Sequence, residues 1–104
     1  MKRSDFLSVK ELQKDFIGKR EMKGIHFKQV YNDQDWYIYE LTQNDKTWFE
    51  VFKENICCSF TVIDGKFITS HSVGMVKYPS MNDFGHWAWT ASTFDRAKER
   101  TTLK

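Results

Sequence analysis

The sequence predicts an α+β fold in which an N-terminal and a C-terminal helix pack on one face of an antiparallel sheet of four to six strands. Three observations lead to this prediction. Apolar residues recur at helical spacing near both ends of the chain, runs of β-branched and aromatic residues occupy its middle, and short polar turns separate those runs. With 104 residues and 40% hydrophobic side chains, the chain has the size and composition of a single domain at 1–104.

The first predicted element is a helix in the N-terminal segment. Ser8 and Glu11 have the spacing of a capping box, Ser4 is an alternative cap, and Gly18 is placed to end the helix. The apolar residues at helical spacing are Phe6, Val9, Leu12, Phe16 and Ile17.

A meander of three antiparallel strands is predicted next. Strand-forming residues are concentrated at 25–31, 36–41 and 47–53. Polar turn residues at 32–35 and 43–46 separate them. Because these turns are short, consecutive strands are expected to be neighbours in the sheet.

A second hairpin follows the meander. Asp64 and Gly65 form a two-residue turn signal between the strand-like segments 60–63 and 66–69. Residues 73–78 predict one more strand.

The C-terminal part begins with Pro79, which ends that strand. Residues 84–89 are apolar and aromatic without a clear period. The last helix is predicted to start near residues 90–92, with Phe94 and Ala97 facing inward.

The aromatic content indicates a binding surface. Seventeen Phe, Tyr and Trp side chains are more than a core of this size needs, so some are expected to face water. Helices on one face of the sheet would leave aromatic side chains exposed on the other, unless the second hairpin or a partner covers them. We therefore expect a non-enzymatic interaction protein that binds a protein partner through an aromatic sheet surface. The predicted contact residues are Trp36, Trp48, Phe52, Asp64, Gly65, Lys66 and Phe67.

The motifs of common catalytic and cofactor sites are not found in the sequence. The five glycines are scattered rather than gathered in a phosphate-binding loop, and no serine lies in a Gly-x-Ser-x-Gly turn. Cys57 and Cys58 are adjacent and are not expected to bridge each other. We expect no metal and no cofactor. One enzymatic alternative remains open, in which Asp83 orients His86 as an acid–base pair.

The distribution of charge leaves a second alternative open. Residues 1–31 carry a net charge of +4, residues 32–95 carry −5 and residues 96–104 carry +3. If the two terminal helices lay side by side, their basic residues could form a patch that attracts nucleic acid. The residues predicted for that role are Lys2, Arg3, Lys10, Lys14, Arg96, Lys98 and Arg100.

The sequence shows no segment of the kind that crosses or enters a membrane. Its uncharged stretches, such as 55–63, are far shorter than a transmembrane helix, and no apolar stretch follows the basic residues at the N-terminus. We expect a cytoplasmic protein without a membrane partner. The oligomeric state is left open.

Four segments carry a resemblance to a known group of proteins. They are Trp36-Tyr37-Ile38-Tyr39, residues 48–53 (Trp-Phe-Glu-Val-Phe-Lys), residues 77–89, which include Tyr-Pro-x-x-x-x-Phe-Gly-x-Trp-Ala-Trp, and residues 92–97. In these segments the chain resembles small uncharacterised proteins from phages and mobile elements of gut-type Bacteroidetes. Phe49 stands where their pattern has Tyr, and residues 55–72 look like an insertion. The resemblance implies a phage or plasmid origin without a known activity. Proteins of this kind include inhibitors of host defence nucleases, as anti-CRISPR proteins are.

Overall fold

The computed structural model describes residues 2–19 and 22–102. Within these residues it contains eight β-strands and one α-helix, together with short 3-10 turns. The chain divides into two compact units. One unit comprises residues 1–12 and 55–78, and the other comprises residues 13–54 and 79–104.

The larger unit contains a five-stranded antiparallel sheet with the strand order β2-β3-β4-β5-β8. Its helix α1 follows the last strand. The bounds are β2 (Asp15–Ile17), β3 (His26–Asn32), β4 (Trp36–Gln43), β5 (Lys46–Lys53), β8 (Ala88–Ala91) and α1 (Phe94–Thr102).

Helix α1 covers one face of this sheet. Ala97 is fully buried and packs with Ile38 of β4 and Val51 of β5. The opposite face of β4 and β5 is also buried, since Tyr37, Tyr39, Leu41 and Phe52 have at most 1% of their surface exposed. These four side chains on the second face therefore do not point to water.

The smaller unit contains a three-stranded sheet with the strand order β1-β7-β6. Its bounds are β1 (Ser8–Lys10), β6 (Ile56–Ile63) and β7 (Lys66–Val76). β6 and β7 form an antiparallel hairpin, and β1 pairs in parallel with residues 73–75 of β7. A 3-10 turn at Arg3–Asp5 precedes β1.

The predicted N-terminal helix is wrong, because the segment forms two separate strands. Residues of β1 pair with β7, whereas residues of β2 pair with β3 in the other sheet. The apolar residues of the segment pack in different places: Phe6 lies against Gly74, and Phe16 stacks on Phe27 with ring centroids 4.7 Å apart. Pairing with distant strands thus overrides a weak local helical pattern. The predicted α+β class holds with one helix instead of two.

The predicted meander and hairpin are confirmed. The structure forms β3, β4 and β5 within one or two residues of the predicted bounds, and Asp64 and Gly65 form the turn between β6 and β7. The strand predicted at 73–78 belongs to β7, which runs continuously through residues 66–76. β8 was not predicted, because the aromatic stretch that leads into it shows no period of two. The C-terminal helix is confirmed and starts at Phe94.

Candidate protein-binding ribbon

The outer half of the β6–β7 hairpin is an exposed two-stranded ribbon, which we define as residues 60–69. Asp64 and Gly65 have φ angles of 52° and 76°. Positive φ at both central residues is the requirement of a type I′ turn, whose twist matches that of the flanking strands. The turn sets Val62 opposite Phe67 and Thr61 opposite Ile68. The register of the ribbon therefore follows from two residues.

The ribbon carries an unusual amount of exposed apolar surface. Its five large apolar side chains have between 48% and 73% of their surface exposed, and they are Phe60, Val62, Ile63, Phe67 and Ile68. The inner part of the same hairpin is buried, with Ile56 at 4% and Val76 at 2% exposure. Isolated exposed apolar residues are common in proteins, but a contiguous group of this kind is a candidate interaction surface.

Both faces of the ribbon are apolar. Side chains alternate between faces along a strand, so Phe60, Val62 and Phe67 share one face. On that face the rings of Phe60 and Phe67 meet edge to face, with centroids 5.3 Å apart and an interplanar angle of 76°. Ile63 and Ile68 occupy the other face. A partner must contact both faces to remove all five side chains from water.

The edges of the ribbon are open within the described residues. β1 pairs with β7 only at residues 73–75, which lie beyond the ribbon, and β6 is an edge strand of its sheet. Asp64 and Lys66 are the two charged residues of the segment, and they lie at the turn. The open backbone groups allow another strand to be added, and the near-neutral strands present little charge repulsion to such a strand.

The residues predicted to contact a partner are only partly brought together. Asp64, Gly65, Lys66 and Phe67 are exposed and lie at the tip of the ribbon. Trp36 and Trp48 are half-buried, and they belong to the other unit, on opposite faces of its sheet.

Phe52 requires a correction, because it is fully buried and cannot be a contact residue. Its ring stacks on those of Tyr37 and Tyr39, with centroids 5.4 and 5.9 Å apart. The ring of Trp87 meets it edge to face at 6.2 Å. Phe52 is thus a core residue of the five-stranded sheet.

Four residues of the ribbon were not among the predicted contacts: Phe60, Val62, Ile63 and Ile68. A sequence signal for them exists. An uncharged stretch, 55–63, leads into the turn, and apolar residues occur at both even and odd positions around the turn. That pattern is typical of a strand buried on both faces, and here it identifies a ribbon whose two faces are apolar and exposed.

The structure places the Asp83 carboxylate in a turn with Ser80. The Asp83 carboxylate accepts hydrogen bonds from the backbone N–H and the hydroxyl of Ser80, at 2.8 and 2.9 Å. The His86 backbone N–H donates a hydrogen bond of 3.1 Å to the Asp83 carbonyl. His86 is exposed rather than enclosed in an apolar site.

The cysteine thiols and the possible metal-binding side chains do not form a site among the described residues. Cys57 and Cys58 are free thiols and are half-buried. Across residues 2–19 and 22–102, no three His, Cys, Asp or Glu side chains come together in a way that could hold a metal ion.

The predicted basic residues do not lie on two adjacent helices, because the N-terminal segment that carries four of them is not helical. Lys2, Arg3 and Lys10 belong to the smaller unit, where Arg3 forms an ion pair with Glu11. Lys14 precedes β2 in the larger unit.

The C-terminal basic residues lie on α1, where two of them contact aromatic rings. The Lys98 ammonium is 4.4 Å from the centre of the Tyr31 ring, and the Arg100 guanidinium is 4.4 Å from that of Trp89. Both contacts hold a cation against the sheet. Arg96 is exposed on the same helix.

Comparisons with known proteins give no relative from which a function could be transferred. No protein-family model, no curated protein and no solved structure matches this chain. Among the residues that the structure describes, no helix is both long enough and apolar enough to cross a membrane.

Proposed function

We propose that this chain is a non-enzymatic protein-binding module that acts by inserting the ribbon into an apolar groove of a partner protein. The observation that carries the proposal is the exposure of five large apolar side chains on both faces of a ten-residue hairpin. A flat partner surface would cover one face and leave the other in water. A groove covers both, and its strands can also pair with the open edges of the ribbon.

The energetics favour the ribbon over any single exposed residue as the binding element. Burying one large apolar side chain stabilises a complex by about 1.5–3 kcal/mol. Association costs about 4–15 kcal/mol in lost translational and rotational freedom. One residue such as Leu7 or Met81, although highly exposed, cannot offset that cost. Five clustered side chains can, and the edge-to-face pair of Phe60 and Phe67 gives the ribbon a rigid apolar centre.

We further propose that the protein comes from a phage or mobile element. In that case its binding would inhibit a host defence nuclease. The support for this origin is the sequence resemblance over residues 36–53 and 77–97. In that case the ribbon would act sterically, by occupying a groove that the host protein needs for its own substrate. No catalytic group in this chain is required for that mechanism.

Photo-crosslinking followed by reconstitution tests the proposal. A photoreactive benzoylphenylalanine is placed at position 67 on the ribbon or, as a matched control, at the exposed Met81, and each protein is illuminated in host lysate. A protein that crosslinks only from position 67 is then purified, and its affinity for the chain is measured by calorimetry. We expect Phe67→Ser to weaken binding by about tenfold or more, and Met81→Ser to leave it unchanged.

Three results would overturn the proposal. The first is an absence of any crosslink specific to position 67. The second is a purified crosslinked protein that binds Phe67→Ser as tightly as the native chain. The third is a crosslink from position 67 to another copy of this chain alone, with sedimentation showing a dimer, since the ribbon would then serve self-association.

A further inference from the structure

The outer edge of β8 presents backbone groups without a neighbouring strand. The strand order places β8 at the end of the five-stranded sheet, and within the described residues the pairing on its outer side is an isolated parallel bridge between Phe84 and Ala88. The Lys53 N–H donates to the Trp87 carbonyl at 3.0 Å, so Trp87 points its backbone groups toward β5. The direction of the backbone N–H and C=O groups alternates from one residue to the next along an antiparallel strand. The backbone groups of Trp89 therefore also point toward β5, and those of Thr90 point away from it.

Thr90 is the position of β8 that is open for pairing. The other outward-pointing residue, Ala88, uses its carbonyl to accept the Gly85 N–H at 2.7 Å. Thr90 is exposed, and its N–H and C=O are directed away from the sheet. A short edge strand of this kind can accept an added strand through main-chain hydrogen bonds.

Helix α1 turns this edge into a groove of about 360 Å³. Residues of β8 and Ser92 line one side, and residues of α1 line the other. The residues that line it include Thr90, Ala91, Ser92, Arg96, Glu99 and Arg100.

The helical wall of the groove carries a net positive charge. Arg96 and Arg100 are four residues apart, so they project from the same side of α1, about 6 Å apart along its axis. Arg100 is held by Trp89, with its guanidinium 4.4 Å from the ring centre. Glu99 contributes one opposing charge. A guanidinium forms paired hydrogen bonds to a carboxylate, so these two arginines favour acidic groups in the groove.

We infer that this groove binds an acidic peptide in an extended conformation, which pairs with Thr90 as an added strand and places carboxylates on Arg96 and Arg100. Acidic residues at alternate positions of a strand lie on one face about 6.6 Å apart, which is close to the spacing of the two arginines. An inorganic anion could contact the guanidiniums and accept a hydrogen bond from the Thr90 N–H, but it could not pair with both the N–H and the C=O of Thr90 as a strand does. This site belongs to the larger unit and does not depend on the ribbon.

Binding of synthetic peptides tests the inference. The probe is a fluorescent eight-residue peptide of alternating valine and glutamate with blocked ends, and the control is the same peptide with lysine in place of glutamate. We expect only the acidic peptide to bind and its binding to weaken with added salt. Arg96→Gln is expected to weaken it by about tenfold. Lys28→Gln, at an exposed position on β3, is expected to leave binding unchanged.

Thr90→Pro distinguishes an added strand from a simple anion site. Proline removes the N–H that an added strand would use and is tolerated on an edge strand. We expect this variant to lose peptide affinity about tenfold or more. In a separate competition experiment on the native chain, we expect phosphate and single-stranded oligonucleotides to displace the peptide only weakly. Circular dichroism checks that both variants are folded.

Several outcomes would overturn the inference. They are failure of the acidic peptide to bind, equal binding of the lysine peptide, and peptide affinity unchanged by Thr90→Pro or by Arg96→Gln. An oligonucleotide that binds more tightly than the peptide, and loses affinity with Arg96→Gln but not with Thr90→Pro, would assign the groove to nucleic-acid phosphates. None of these results affects the ribbon.

Discussion

The ring of Phe6 lies against the backbone of Gly74, so closely that a Cβ atom on Gly74 would come within 2.7 Å of the ring. This contact fixes the N-terminal segment onto β7. Beside it, the Leu7 N–H donates to the Ser72 carbonyl at 2.8 Å, and β1 then continues in parallel along residues 73–75. The absence of a side chain on Gly74 is therefore a requirement for docking of β1.

Gly74→Ala is expected to destabilise the smaller unit. The added methyl group would force the Phe6 ring away from β7, and such overpacking typically lowers the free energy of unfolding by about 1–3 kcal/mol. Urea denaturation measures the effect, with Thr69→Ala on the exposed part of the same strand as the control. In a Phe6→Ala background the methyl group has no ring to displace, so Gly74→Ala should then cost much less. Equal costs in both backgrounds would show that the ring is not responsible.

Gly65→Ala is expected to loosen the ribbon without disturbing its surroundings. Gly65 has a φ of 76°, and a Cβ built on it has no atom within 4 Å, so the cost is conformational alone, about 1–2 kcal/mol. Asp64→Asn should be tolerated, since asparagine also accepts positive φ at the first position of a type I′ turn. Hydrogen exchange of the ribbon amides distinguishes the two variants. Compared with the native chain, exchange should be faster in Gly65→Ala and unchanged in Asp64→Asn. Unchanged exchange in Gly65→Ala would contradict the turn assignment.

Elements with strong local signals could be predicted from the sequence. The Asp64-Gly65 turn requires only two residues, and the turn at 32–35 requires only the short polar side chains that accept its backbone N–H groups. β1 and β2 could not be predicted in this way. Each has three residues, and each forms because of a partner strand at least nine residues away, which a local pattern does not contain.

The ribbon was predicted only in part for a related reason. The period of two correctly assigns residues of β4 and β5 to their faces, as the pairing of Tyr37 with Phe52 and of Ile38 with Val51 shows. It does not tell whether a face is covered. Phe52 is therefore among the predicted contact residues, although it is buried, and the exposed apolar neighbours of Phe67 on the ribbon are not.

Phe52→Ala is expected to destabilise the larger unit far more than Trp48→Ala. Phe52 has no exposed surface, and removing its ring would leave a cavity between Tyr37 and Tyr39, at a cost of about 3–5 kcal/mol. Trp48 lies on the same face but is half-buried, and its removal should cost about 1 kcal/mol. Chemical denaturation compares the two variants. Similar losses would contradict the assignment of Phe52 to the core.

The Asp33 carboxylate organises the turn between β3 and β4 and makes it sensitive to acid. It accepts hydrogen bonds from the Tyr31 hydroxyl at 2.7 Å and from the backbone N–H groups of Asp35 and Trp36 at 2.9 and 2.7 Å. Partial burial raises the pKa of Asp33, but these donors outweigh burial and lower the pKa below the ordinary value of 3.8. The charged carboxylate therefore stabilises the folded state above that value, and the stabilisation is lost as pH falls through the lowered pKa.

Asp33→Asn is expected to lower the free energy of unfolding at pH 7 by about 0.5–1 kcal/mol, a modest effect because the site is largely exposed and screened by solvent. The difference from the native chain should shrink as the pH is lowered from 5 to below the pKa of Asp33, where both proteins carry an uncharged side chain. Denaturation at a series of pH values measures it. Asp35→Asn is the matched control, because it leaves the hydrogen bonds to Asp33 in place. A difference between Asp33→Asn and the native chain that stays constant across this range would show that the charge of Asp33 is not what holds the turn.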